Sequence, residues 1–323
     1  MNEFALIRQF FLRPAKRVLQ GGGDDCALIS PRAGQVLAIS TDMLLEGRHF
    51  FADVDPATLG FKALAVNLSD LAATCAEPLA FTLALALPEA NEAWLQAFSR
   101  GLFECADRFN CELIGGDTTR GPLAISITVF GEVPPELAAR RDSAREHDDI
   151  WVSGELGGAA LALAMEIANR AAEGPRRNGI AALVERLERP LPRLALGLEL
   201  RGFIHAMIDV SDGLLADLRH IVEASNCGAT ISEAQLPISE DVRNLPLSQR
   251  RRAALAGGDD YELCFTADRS QREAVIAAGA KADVPVTRIG EITPPDGIRV
   301  MDIENRPLDG AALAALSGFD HFD

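Results

Sequence analysis

Short runs of strand-forming residues alternate with stretches of helical period over residues 26–133, and this alternation limits the possible folds of the chain more than any other feature. Residues 36–41 (VLAIST), 79–87 (LAFTLALAL), 112–114 and 123–130 (LAISITVF) read as strands, each ended by Gly, Pro or Asp. Between them, DPATLGFKALAVNLSDLAATCAEP offers Asp55 as N-cap, Pro56 at the first helical position and Pro78 as the closing residue. A second segment repeats Trp94, Leu95, Phe98, Leu102, Phe103 and Ala106 at helical spacing. With a first strand opening near residue 26, the implied order to residue 133 is strand, strand, helix, strand, helix, strand, strand. It predicts an α/β or α+β sheet with helices on one face.

A chain of 323 residues is about twice the usual domain length, so two domains are expected. The proline-containing, mixed-charge stretch GEVPPELAARRDSAREHDD places their boundary near residue 138, giving domains 1–138 and 139–323. The second unit begins with a strand at 149–153 and a Gly-rich turn opening a helix. A strand at 204–210 then feeds a helix in which Leu214, Leu215, Leu218, Ile221 and Val222 share one face, with Gly228 as its stop. Further strands are expected at YELCFT and TRIGEIT, with a helix between them.

Apolar residues make up 48 % of the chain, enough for a sizeable core, yet no apolar run approaches the roughly 18 residues of a membrane span. The first residues show an early acid and no basic leader, so the cytoplasm is the expected compartment. Six scattered cysteines lack any C-x-x-C spacing and read as reduced, mostly buried residues. A net charge of −16 argues against nucleic acid as partner. Anions can still be bound if divalent cations stand between the charges.

The motif GGD occurs three times, in LQGGGDDCALI, LIGGDTTRGPL and LAGGDDYELCF. Asp42, Asp117 and Asp209 are read where strands stop, and Asp25 and Asp259 in Gly-rich turns. Each alone is equally a turn or capping residue. Together they would repel one another unless a cation sat among them, and Mg²⁺ is the ion that suits carboxylate, water and phosphate oxygens. In IDVSDGLLADL, Ser211, Asp212 and Gly213 open a helix whose N–H groups either face an anion or are capped locally. Asn67, Ser69 and Asp70 interrupt an Ala/Leu-rich helix, where Lys62, Val66 and Asp70 form one stripe that is either functional or a solvated face. His49 shares a loop with Asp42. No P-loop and no protein-kinase signature set is present.

Taken in order, GGGDDCALI, AISTDMLLEGRHF, KALAVNLSDLAA, LIGGDTTRGPL, IDVSDGLLADL, GGDDYELCF and the terminal GFDHF resemble the bacterial thiamine-monophosphate kinase family from about residue 4 to 322. The resemblance implies the two-domain fold of the aminoimidazole-ribonucleotide synthetase superfamily, with an N-terminal sheet that pairs across a homodimer and a C-terminal α/β domain. It implies Mg-assisted, direct in-line transfer from ATP to thiamine monophosphate, with several Mg²⁺ ions. Carried over by motif, Asp25, Ser40, Thr41, Asp42, Asp70, Asp117, Asp209 and Asp212 are expected as metal ligands. Gly116, Asp117, Arg141 and Ser211 are expected at ATP, and His49, Asp259 and Phe319 at thiamine monophosphate. No residue is expected as a general base.

GGDDYEL stands where the family often has GGEDYEL, so Asp259 reaches about one methylene less far, and Phe319 is not the aromatic most usual before DHF. Two other readings are another ATP-using synthetase of the superfamily and a non-catalytic nucleotide-binding protein. Against the first, this chain has no early catalytic Cys/Lys or selenocysteine-like motif and its GFDHF end favours thiamine; the second has no use for so many acids.

Overall fold

The computed structural model describes residues 3–171, 181–316 and 318. The chain divides into two compact units, one of Met1–Leu71 with Ala76–Glu136, the other of Ala72–Cys75 with Leu137–Asp323.

The first unit contains α1 (Glu3–Phe10), β1 (Val36–Leu45), α2 (Pro56–Ala73), β2 (Glu77–Leu87), α3 (Glu92–Arg108), β3 (Glu112–Arg120) and β4 (Ala124–Val133). Its four-stranded sheet runs β1-β4-β2-β3, antiparallel except for the parallel β2–β3 pair. The strand expected near residue 26 is only an isolated bridge between Gln20 and Leu28. Asp55 does cap α2, accepting from Thr58 N at 2.9 Å. Pro78, expected to close α2, instead lies inside β2, because the helix already ends at a turn where Cys75 takes a left-handed φ of 59°. Phe61, Leu64, Leu68, Phe81, Phe98 and Leu102 are fully buried, each contributing about 2 kcal/mol of apolar burial.

The second unit contains β5 (Asp149–Ser153), α4 (Gly158–Ala171), α5 (Ala181–Glu188), α6 (Leu194–Glu199), β6 (Met207–Val210), α7 (Leu214–Ala224), β7 (Gly228–Ser232), α8 (Glu240–Arg243), α9 (Leu247–Ala256), β8 (Glu262–Ala267), α10 (Arg272–Lys281), β9 (Val286–Thr293), β10 (Ile298–Met301) and α11 (Gly310–Ala314). Its six-stranded sheet runs β10-β7-β9-β5-β8-β6, with only β10–β7 parallel. The apolar face of α7 packs on this sheet, with Leu214, Leu215, Leu218, Ile221 and Val222 in one core with Ile208, Cys264 and Ile289. Gly228 is not its stop. Asn226 adopts the left-handed φ of 50° after the helix, and Gly228 begins β7.

Candidate active site

In the first unit the side chains of one strand and one helix meet. β1 alternates, so Ser40 and Asp42 face α2 while Thr41 faces the other way. Ser40 Oγ donates to Asp70 Oδ2 at 2.5 Å, and the Asp42 N–H donates to Asn67 Oδ1 at 3.0 Å. Asn67 in turn donates from Nδ2 to Ala63 O at 2.9 Å, so its amide locks the strand to the helix. Lys62, Asn67 and Ser69 are 6 %, 1 % and 0 % exposed. The polar stripe of α2 is therefore interior, not a solvated face.

Asp42 and Asp117 do not stand at strand ends. β1 continues to Leu45 because its antiparallel pairing with β4 runs unbroken to Ala124, and β3 continues to Arg120. Thr41 Oγ1 lies 2.8 Å from Thr128 Oγ1 on the face opposite Asp42. Asp117 belongs to the register row of Ala84, Ser126 and Met43, again on that opposite face. Gly116 is the only residue type its place accepts: φ is 144° and a Cβ would lie 1.8 Å from Leu83 O. Asp25 is exposed in its Gly-rich turn. His49 is half-buried after β1, and its Nδ1 accepts from Leu45 N at 3.0 Å, which leaves the proton of the neutral ring on Nε2.

In the second unit two motifs distant in sequence are brought together. Asp259 N donates to Ser211 O and Tyr261 N to Val210 O, both at 2.9 Å, so the GGDD turn is stitched to the SDG turn. A Cβ on Gly258 would lie 2.4 Å from Ser211 O, so only glycine permits this approach. Asp259 itself takes a left-handed φ of 66°. Asp209 is buried beside this turn, and Ser211 and Asp212 are partly exposed on it. A Cβ on Gly318 would lie 2.8 Å from Asp212 O, which sets the start of the GFDHF motif against the same turn. Phe319 lies outside the described residues. Arg141 is exposed, and its carbonyl accepts from Ser225 Oγ at 2.9 Å.

The N–H groups of Ser211, Asp212 and Gly213 are not left open to a ligand, and neither Ser211 nor Asp212 caps α7. All three donate to Asp217 Oδ2 at 3.1 Å. Asp217 is 3 % exposed, and burial, then the charge of Asp212, pushes its carboxyl up to about 7 against the pull of those three N–H groups. Sequence reading did not single out Asp217. The signal was an acid in the first turn of α7, where a helix N-terminus favours negative charge. Two further acids, both in the GGDDYEL motif, were also missed. Asp260 accepts from Gly157 N at 2.6 Å, and burial pushes its carboxyl up to about 8. Glu262, 2 % exposed, accepts from Ser153 Oγ at 2.5 Å and forms a two-pronged pair with Arg193.

The donors suit a hard cation. Within the first unit the carboxylates of Asp42 and Asp70 and the Ser40 hydroxyl, and within the second the carboxylates of Asp209 and Asp212, are oxygen groups of the kind Mg²⁺ takes. Among the described residues no three His, Cys, Asp or Glu side chains form a ready-made metal cluster. The six cysteines are free, four of them buried, and burial raises the thiols of Cys75, Cys111 and Cys264 away from reactivity. No helix among the described residues is long and apolar enough to cross a membrane.

Residues 23–133 match the N-terminal domain, and residues 145–303 the C-terminal domain, of the AIR synthase related proteins. The chain is 45 % identical to thiamine-monophosphate kinase of Escherichia coli (strain K12) over 328 aligned positions, covering 99 % of this chain and 98 % of that one. It is similar to the crystal structure of thiamine-monophosphate kinase from Stenotrophomonas maltophilia K279a, with a TM-score of 0.81 and 48 % identity over 92 % of this chain and 93 % of that chain. It is also similar to AaThiL complexed with AMPPCP and TMP, with a TM-score of 0.75 and 28 % identity over 91 % of this chain and 89 % of that chain.

Proposed function

The chain belongs to the thiamine-monophosphate kinase family within the AIR synthase related proteins, and from that premise we propose the following account of its chemistry. It is an enzyme that phosphorylates thiamine monophosphate with ATP, giving thiamine diphosphate and ADP. The observation that carries this is the full-length match to thiamine-monophosphate kinases.

The acceptor phosphate has its second ionisation near pH 6, so at neutral pH it already carries the charge needed to attack the γ-phosphorus, and no general base is assigned. What remains is to hold two polyanions in line. We assign metal and ATP holding in domain 1–138 to Asp25, Ser40, Thr41, Asp42, Asp70, Gly116 and Asp117, and in domain 139–323 to Asp209, Ser211, Asp212 and Arg141. His49, Asp259 and Phe319 are assigned to thiamine monophosphate. Since Thr41 Oγ1 and the Asp117 row face away from Asp42, a role for Thr41 beside Asp42 falls to its main-chain carbonyl, and Asp117 serves metal or ATP on the opposite face of the sheet. Mg²⁺ bound by these acids would neutralise charge on the phosphates.

On this account the protein's own work is orientation. Asn67 fixes the strand segment carrying Asp42, Ser40 aims Asp70, and Asp217 sets the backbone that presents Ser211 and Asp212. Nδ1 of His49 is committed to Leu45 N, so a contact from this ring to a phosphate falls to Nε2.

We assign the active form as a cytoplasmic homodimer. Edge strand β1 supports this, since Ile39, Met43 and Leu45 are 59 %, 55 % and 39 % exposed on the sheet face opposite Asp42, an apolar row suited to a second copy. Incubation of purified protein with ATP, MgCl₂ and thiamine monophosphate tests the activity. ADP release that depends on the thiamine phosphate is expected, whereas ADP release without it, or none, counts against the reading.

A further inference from the structure

The second unit holds a cavity of about 220 Å³ that none of the assigned chemistry uses, lined by Glu233, Leu236, Ile238, Ala254 and Ile303 with Arg243, Arg250 and Arg251. Three arginines around one small cavity are unexpected in a chain of net charge −16. Arg251 is spoken for: it makes a two-pronged pair with Glu233 at 2.8 and 2.9 Å. Asp302, the other acid close by, is engaged by Arg306. Neither Arg243 nor Arg250 forms an ion pair among the described residues; Arg243 makes only a long contact of 3.4 Å to Ile238 O. Glu240 and Asp241, on α8 with Arg243, are not among the lining residues.

The lining thus joins two arginines that make no ion pair among the described residues to Leu236 and Ala254, which are 7 % and 3 % exposed, and Ile303. Paired guanidinium groups are the arrangement that holds a tetrahedral dianion through several charge-assisted hydrogen bonds. The volume is below the roughly 300 Å³ at which drug-sized ligands begin to fit. We propose that this cavity is a binding site for a small phosphomonoester with a short organic portion. We further infer that it is regulatory. Arg250, Arg251 and Ala254 sit on α9, which ends at Ala256 and passes directly into the Gly257–Gly258–Asp259 turn stitched to Ser211. A ligand that pulls on α9 therefore bears on the turn carrying Asp259. This second part rests on the assignment of Asp259 to thiamine monophosphate.

Calorimetric titration of the full chain with glycerol 3-phosphate, and separately with inorganic phosphate, tests the site without ATP or thiamine phosphate present. The wild type is expected to bind glycerol 3-phosphate more tightly than inorganic phosphate. Arg243→Gln/Arg250→Gln is expected to bind it at least about tenfold more weakly, as loss of charge-assisted bonds requires. Arg243→Lys/Arg250→Lys, which keeps the charge but not the fork, should fall between them and shows that loss in the glutamine variant is not misfolding. Equal affinity in all three proteins, or no binding in the wild type, overturns the site. For the regulatory part, glycerol 3-phosphate should change the KM for thiamine monophosphate at least twofold in the wild type and leave it unchanged in the glutamine variant. Binding with an unchanged KM overturns the coupling alone.

Discussion

Ser40 on β1 donates its hydroxyl proton to Asp70 Oδ2 on α2 at 2.5 Å, so a strand and a helix are held together by two of the polar groups assigned to the metal. Removing that bond with Ser40→Ala should leave the carboxylate of Asp70 differently aimed, and kcat is expected to fall roughly tenfold or more. Asp42→Asn keeps the main-chain bond from residue 42 to Asn67, so folding should be unharmed while turnover drops by about two orders of magnitude or more. Thermal unfolding in the absence of metal should be similar to wild type or raised. If the Asp42 variant unfolds instead, that side chain is structural.

Asp217 is the hub of the SDG turn. With alanine, three buried or half-buried N–H groups lose their acceptor, and a loss of about 3 kcal/mol in urea unfolding is expected. Asparagine retains one acceptor oxygen and should lose markedly less. Equal losses for the two variants would contradict the hydrogen-bonding role.

The carboxyl of Asp260 titrates at about 8 in the folded chain against an ordinary 3.8, chiefly because it is buried. Between those values the folded state holds a proton that the unfolded state has released. Stability from this group is therefore complete below pH 4 and declines as pH rises through 8. Asp260→Asn has no such decline. The stability difference, variant minus wild type, should shift in favour of the variant between pH 5 and pH 8; a difference independent of pH contradicts the burial argument.

Gly116 meets two constraints at once, a φ of 144° and a Leu83 carbonyl 1.8 Å from where a Cβ would stand. Gly116→Ala should cost several kcal/mol by parting β3 from β2, seen as a lowered unfolding midpoint. Gly121→Ala is the control, since its added Cβ meets only the Ala86 side chain at 3.6 Å.

Much of the architecture can be read from the chain alone, and the failures have physical causes. DIWVS at 149–153 is legible because every residue of that strand is buried and bounded by polar neighbours. Ser40, Thr41 and Asp42 look like the end of a strand because polar residues usually mark turns. They are held in one by β4, whose contribution is non-local. The strands GATIS and IRVM went unread, being short and without a distinctive alternation. The polar residues of α2 could be seen to need a reason, but their burial depends on what packs around the helix. Asp217 was invisible as a hub because an acid on a largely apolar helix face makes sense only once three N–H groups are known to converge on it.

Transfer of isotope tests the central claim most directly. With ATP labelled in the γ-phosphate, Mg²⁺ and thiamine monophosphate, the account predicts that label appears in the terminal phosphate of thiamine diphosphate, in amounts equal to the ADP formed and with none retained on the protein. Folded protein that transfers no label to thiamine monophosphate at any Mg²⁺ concentration would contradict it.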